Sequence, residues 1–235
     1  AMQEPPAACP LDRGDLASQR STKESYERIP YRSSAWTSCR PERLETIARL
    51  YGLAAAGADC CRVLEVGCGD GGNLAPLAVA HSGSQFVGVD LAEIHVARGR
   101  TLAAQLGLSN LRFETGSFSE LAESFGRFDY VIAHGLMSWV SPRLQDHLFA
   151  ACQRLLAPAG VAFISYNTWP GWSMRNAIRE ILRQHCRGAQ SIEERLARSR
   201  AILAALVESV PGEEAGYRSE LEGVAAVAAN PEREH

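Results

Sequence analysis

A doubly wound α/β fold built on a parallel sheet is what this 235-residue chain predicts. Three observations point to it. Short, almost wholly apolar segments such as RVLEV (62–66), QFVGVD (85–90) and FDYVIAH (128–134) alternate with amphipathic ones. Strands buried on both faces read this way, because helices cover each side of a parallel sheet. A glycine-rich run follows the first of these segments, and the acidic Asp90 closes the second. Right-handed crossovers then give a Rossmann-like layering, with ligand loops at the carboxyl ends of the strands.

Taken in order, residues 1–22 carry Pro5, Pro6 and Pro10 among polar residues without periodicity, and are expected to form a disordered tail. YERIPYRSSAW (26–36) is broken by Pro30 and reads as a loop. Pro41 opens a helix in which Leu44, Ile47, Ala48 and Tyr51 share one face. Helices are expected over 73–80 and 94–106, after the first and second strands. LRFE (111–114), FDYVIAH (128–134) and VAFISY (161–166) are the third to fifth strands. An amphipathic helix over 144–156 lies between the last two, and LAPAG (156–160) turns it into the fifth strand. Beyond 166 only helices are read, over 174–186, 192–210 and 217–229. The expected organisation is a tail (1–22), one ligand-binding α/β domain (23–186), and a helical segment (187–235) that begins a regulatory or substrate domain.

Composition excludes some functions. With 24 basic against 27 acidic residues, the net charge of −3 opposes a nucleic-acid surface as the main function. The seven cysteines form no C-x-x-C pair and do not combine with the six histidines at a zinc spacing. They read as reduced, mostly buried thiols, with no metal site. No apolar run approaches the ~20 residues that span a bilayer. A soluble, cytoplasmic protein without a membrane partner is expected.

VLEVGCGDGGNL (63–74) fits two nucleotide patterns at once. Gly67, Gly69 and Gly72 satisfy G-x-G-x-x-G of a dinucleotide turn. Glu65, Gly67, Gly69 and Gly71 equally satisfy the E-x-G-x-G-x-G pattern of an S-adenosylmethionine (SAM) loop. Either way the glycines let backbone approach a ligand, and the free N–H groups of the following helix suit an anion. That anion is a pyrophosphate in one case and the methionine carboxylate in the other. Glu65 stands where a carboxylate could meet the methionine ammonium, which favours SAM. Asp90 ends the second strand, where a carboxylate binds both ribose hydroxyls. It does not discriminate, because both cofactors carry that ribose.

VLEVGCGDGGNL, FVGVDLA, the tract around Phe113 and Phe118, FDYVIAHGLMSWV and LLAPAGVAFISY, in this order, resemble the class I SAM-dependent methyltransferases over about 26–172. The resemblance implies that backbone around Gly67 and Gly69 holds the methionine end, Asp90 the ribose, and that Leu91 packs on the adenine. Many members carry an acid after the third strand for the adenine amino group. FETGSF places Ser117 there, a weaker acceptor, followed by Phe118 as a further cofactor-side candidate. YERIPYRSSAW with PERL, HGLMSWV and SYNTWPGW together resemble bacterial methyltransferases that carry a regulatory domain, a group that includes protein lysine methyltransferases. A complete class I sheet has seven strands and five are read here, so either the sheet is short or the chain is an excised piece. A short sheet exposes an edge, which favours a homodimer.

The expected function is transfer of a methyl group from SAM to a nitrogen or oxygen acceptor on a protein, peptide or small molecule. His134 follows the fourth strand and suits proton removal from an acceptor; holding the cofactor's amino-acid end is an equal alternative. Tyr166 and Asn167 leave the fifth strand at the same edge, either to hold an acceptor or to cap the next helix. Tyr31 either contacts the cofactor carboxylate or packs in a lid. Trp36, Trp139, Trp169 and Trp172 lie in loops, as pocket walls or as lid packing. His81, His95, His147 and His185 read as surface or structural. A non-catalytic SAM-binding or partner-binding module is the rival function. A nicotinamide-dependent oxidoreductase is weaker, since no second mononucleotide half follows.

Overall fold

The computed structural model describes residues 10–121, 125–211 and 214–229. The chain divides into two compact units, Ala1–Tyr166 and Asn167–His235.

The first unit opens with α1 (Arg13–Arg28) and α2 (Pro41–Leu50). Then β1 (Arg62–Val66), α3 (Leu74–Ala80), β2 (Gln85–Asp90), α4 (Glu93–Gln105), β3 (Leu111–Thr115), β4 (Phe128–Ala133), α5 (Pro142–Leu155) and β5 (Leu156–Ile164) follow. The strands pair in parallel in the order β3-β2-β1-β4-β5. That order places the crossover switch between β1 and β4, where ligands bind in such sheets.

Side chains alternate along each strand, so the central strands feed two cores. Val63, Phe86 and Ile132 face one side with Leu44 of α2, Leu74 and Ala78 of α3, and Val96 of α4. Leu64, Val87 and Val131 face the other with Leu144, Leu148 and Cys152 of α5. The near-continuous apolar text of these strands follows directly from this two-sided burial.

Three expectations change. The disordered tail expected over 1–22 is helical from Arg13 onward, and residues 1–9 lie outside the described residues. A capping box starts this helix: Asp12 accepts the Asp15 N–H, and Asp15 accepts the Asp12 N–H in return. Its start is tied to the sheet domain by Ser141, whose hydroxyl donates to Asp15 Oδ1 at 2.7 Å, and by Arg143 beside Asp12 and Asp15. Next, LAPAG is not a free turn but the first part of β5. Phe128 pairs with Leu156 and Tyr130 with Val161, so a bulge absorbs the extra residues between them.

The third change concerns the domain boundary, which falls after Tyr166 and not after 186. The second unit is α6 (Ser173–His185), α7 (Ile192–Ser209) and α8 (Ala215–Ala229). Ile178 of α6 is buried with Leu203 and Leu221, so α6 belongs to this helical core. Arg175 and Glu220 pair at 2.7 Å between α6 and α8. No helix among the described residues is long and apolar enough to cross a membrane.

Candidate active site

A pocket opens at the carboxyl ends of β1, β2 and β4. Its floor is Val66 and Gly67 from β1 and its loop, Val89, Asp90 and Leu91 from β2, and His134 after β4. Gly116 and Phe118 form one wall and Leu136, Trp139 and Leu144 another. Ser18, Gln19, Thr22 and Tyr26 of α1 close the remaining side, with Tyr31 just beyond that helix. The structure thus brings Tyr31, Gly67, Asp90, Leu91, Phe118 and His134 of the expected residues to one cavity.

Asp90 organises the floor. Its Oδ2 accepts the Gly69 N–H and its Oδ1 accepts the Ala92 N–H, both at 2.9 Å. A carboxylate has about four lone-pair sites, so each oxygen keeps capacity for a ligand hydroxyl. His95 Nδ1 lies 3.5 Å from Asp90 Oδ1. This histidine is wholly buried, under the rings of Tyr26 and Tyr31, and is structural, not on the surface. Burial and the Asp90 charge push the Tyr31 phenol above its ordinary range, so it stays protonated.

The N–H groups of the loop glycines are already used inside the protein. Gly67 and Cys68 both donate to the Val89 carbonyl, Gly69 to Asp90, Gly71 to the Cys68 carbonyl and Gly72 to Ser33 Oγ. What Gly67 presents to the pocket is bare backbone. Position 72 requires a glycine: a Cβ there would lie 1.9 Å from the Ser33 carbonyl oxygen. Gly71 has φ of +82°, and its missing Cβ leaves room for the Phe113 ring. The segment after α1 is strapped to the loop by further bonds. The Ser33 N–H and hydroxyl both donate to Asp70 Oδ1, at 2.8 and 2.6 Å, and the Trp36 N–H donates to Asn73 Oδ1 at 3.0 Å.

Glu65, Gly69 and Ser117 stand behind the cavity and do not line it. Glu65 is 4 % exposed; its Oε1 accepts from Asn73 Nδ2 at 2.9 Å, and its Oε2 has no partner. Burial, with the Asp90 charge adding to it against the Asn73 bond, raises this carboxyl to about 8, so it is largely neutral at pH 7. Ser117 is also buried, turned towards Ser119 and Gln19.

His134 is held by a short relay. The Gly135 N–H donates to Ser165 Oγ at 2.8 Å, and that oxygen lies 2.9 Å from His134 Nδ1. The Trp36 ring rests 4.4 Å from the imidazole, centroid to centroid. Burial holds the histidine below its ordinary pKa, which keeps it neutral near pH 7. Tyr166 is 64 % exposed and outside the cavity lining, and Asn167 is the first residue of the second unit. Trp169 and Trp172 also belong to that unit, where Arg175 stacks on Trp172.

Sequence reasoning missed the whole contribution of α1, together with Ser33, Asp70, Asn73 and Ser165. The α1 signal was a spacing: Asp15, Ser18, Gln19, Thr22 and Tyr26 recur at helical intervals, but as polar residues.

Comparison with known proteins adds a family. A family model described as "Methyltransferase domain" matches residues 63–160. The uncharacterised protein RP789 of Rickettsia prowazekii is 37 % identical over 204 residues, covering 87 % of this chain and 37 % of that protein. RP028 of the same organism, also uncharacterised, is 35 % identical over 199 residues, covering 85 % of this chain and 80 % of its own length. Among solved structures, PKMT2 from Rickettsia typhi in complex with AdoHcy is similar at a TM-score of 0.70 and 34 % identity, over 86 % of this chain and 39 % of that one. The chain therefore spans well under half the length of RP789 and PKMT2, and most of RP028.

Proposed function

Because the chain belongs to the class I SAM-dependent methyltransferases, we propose that it moves a methyl group from SAM to a nitrogen or oxygen acceptor on a protein, peptide or small molecule. The observation that carries this reading is the convergence of Asp90, the bare backbone of Gly67 and the relayed His134 on one cavity at the sheet's switch point.

The residues present fit SAM. Asp90 would take the ribose hydroxyls on the acceptor capacity its two backbone bonds leave. Leu91, Val89 and Phe118 would hold the adenine between apolar surfaces, and Tyr31 would donate its phenol to the carboxylate end. Glu65 Oε2 is a buried acceptor without a partner, and a ligand ammonium nearby would favour its charged form. When bound, the co-substrate would supply a methyl group on a sulfonium: an acceptor lone pair would bond to the methyl carbon as the carbon–sulfur bond breaks, and the pair left on sulfur would give S-adenosylhomocysteine.

For an ammonium or hydroxyl acceptor, a proton must leave before or as the new bond forms. His134 would take it at Nε2, with Nδ1–H donated to Ser165 Oγ beside the Gly135 N–H. Trp139 lines the cavity and Trp36 packs on the His134 ring, both exposed in part, where they would guide the acceptor and exclude water. Most of the acceleration would come from alignment, an effect that reaches roughly 7–11 kcal/mol in favourable cases. Bacterial relatives and the six free cysteines of the described residues support a bacterial, cytoplasmic setting.

Calorimetric titration with SAM, S-adenosylhomocysteine and NAD tests the cofactor, and a labelled-methyl screen against lysate proteins and metabolite pools tests the transfer. Binding of NAD without SAM would overturn the reading. Binding of SAM with no labelled product from any pool would leave a cofactor-binding module in its place.

A further inference from the structure

We propose that Gln19 of α1 reads the amino group of the adenine and so determines which purine nucleoside the pocket accepts. The inference rests on the SAM reading above and goes beyond it, since it assigns base selectivity to a helix outside the sheet.

The starting point is the acceptor expected at Ser117. A serine oxygen has two lone pairs and one hydrogen. Ser117 Oγ accepts the Gln19 Nε2–H at 3.1 Å and the Ser119 N–H at 3.3 Å, and exchanges a third bond of 2.7 Å with Ser119 Oγ. Its capacity is full, and the side chain is buried behind the cavity wall. An adenine amino group therefore finds no free acceptor on Ser117. Gln19 stands between that serine and the cavity and lines the cavity itself.

Gln19 gives one of its two Nε2 hydrogens to Ser117, a bond that holds the amide in place, and the acceptor of that amide is Oε1. Adenine offers an N6–H donor, and a Gln amide is among the side chains that pair with adenine through that amino group. Hypoxanthine carries a carbonyl in place of that amino group, so it would set two acceptors against each other. The helix that presents Gln19 is secured at both ends: Ser141 and Arg143 hold Asp15, and the Glu93 N–H donates to Glu27 Oε1 at 2.7 Å. Such anchoring fixes the reading group against the wall formed by Gly116 and Phe118.

The test compares affinity for S-adenosylhomocysteine and S-inosylhomocysteine by calorimetry on the whole chain. The unmodified protein is expected to prefer the adenine compound by roughly tenfold or more, as for one well-placed hydrogen bond against a mismatched pair of acceptors. Gln19→Ala is expected to bring the two affinities within about threefold of each other, chiefly by weakening the adenine compound. Gln19→Glu keeps an acceptor at this place and is expected to retain the preference. If Gln19→Ala weakens both compounds equally and leaves their ratio unchanged, α1 merely packs the site and the proposal falls. Failure of the unmodified chain to bind S-adenosylhomocysteine at all would instead remove the cofactor reading, and this inference with it.

Discussion

Gly72 donates its N–H to Ser33 Oγ at 2.7 Å, and the Ser33 carbonyl oxygen stands 1.9 Å from where a Gly72 side chain would begin. The loop and the strap that crosses it are therefore built against each other. Gly72→Ala must push the strap away, and overpacking of this kind costs about 1–3 kcal/mol. A fall in melting temperature together with weaker binding of S-adenosylhomocysteine is expected, since Ser33 lies between Tyr31, which lines the pocket, and Trp36, which packs on the His134 ring. A variant that melts and binds as the unmodified chain does would show the strap to be loose.

Asp90 ties the loop to β2 through Gly69 and faces the cavity. Asp90→Ala is expected to weaken S-adenosylhomocysteine by about 1.5–3 kcal/mol, the range for a lost charged hydrogen bond. Calorimetry gives the number directly. Unchanged affinity would remove the ribose assignment.

His134→Ala is expected to slow turnover by roughly 10²–10⁴, the span of general-base effects, with S-adenosylhomocysteine affinity near that of the unmodified chain. Parallel loss of affinity would make the residue a cofactor ligand. Ser165→Ala should slow turnover less and alter the acid limb of the rate profile, because the relay no longer selects which ring nitrogen carries the hydrogen. Burial already lowers the histidine pKa, so the unmodified enzyme should lose rate only as pH falls below the ordinary histidine range.

Glu65 predicts a stability slope. Its folded pKa of about 8 exceeds the ordinary value of 4.5, so between these the native state holds a proton that the unfolded chain has released. Stability without ligand should then fall as pH rises from about 5 to about 8 and level off above, by linkage. Glu65→Gln removes that slope, melting alongside the unmodified chain near pH 4 and above it at pH 9. Two melting curves that stay parallel across this range would contradict the neutral carboxyl. If an ammonium of SAM reaches Oε2, binding near pH 7 should also release a proton. Calorimetry in buffers of different ionisation enthalpy would detect it, and Glu65→Gln should not show it.

Much of the first unit was legible from sequence because its strands are buried on both faces. Val63, Leu64, Val131 and Ile132 have no polar side to confuse the period, and the glycine run with Asp90 marks the switch point. The same logic failed for α1, whose inward face of Asp15, Ser18, Gln19, Thr22 and Tyr26 is polar and looks like a tail. It failed also at LAPAG, where a bulge keeps paired backbone that the glycine and proline seemed to end.

The amino-acid order alone therefore determined the five parallel strands, the cavity end of the sheet and six of the residues that line it, since local apolar runs and turn chemistry act within a few residues. Only the tertiary structure decided that Glu65 is buried and Ser117 saturated, that the N–H groups of the loop glycines are already spent, and that a polar helix closes the pocket. Each of these depends at least in part on a partner between 8 and 126 residues away, and a hydrogen bond across that separation leaves no period in the chain.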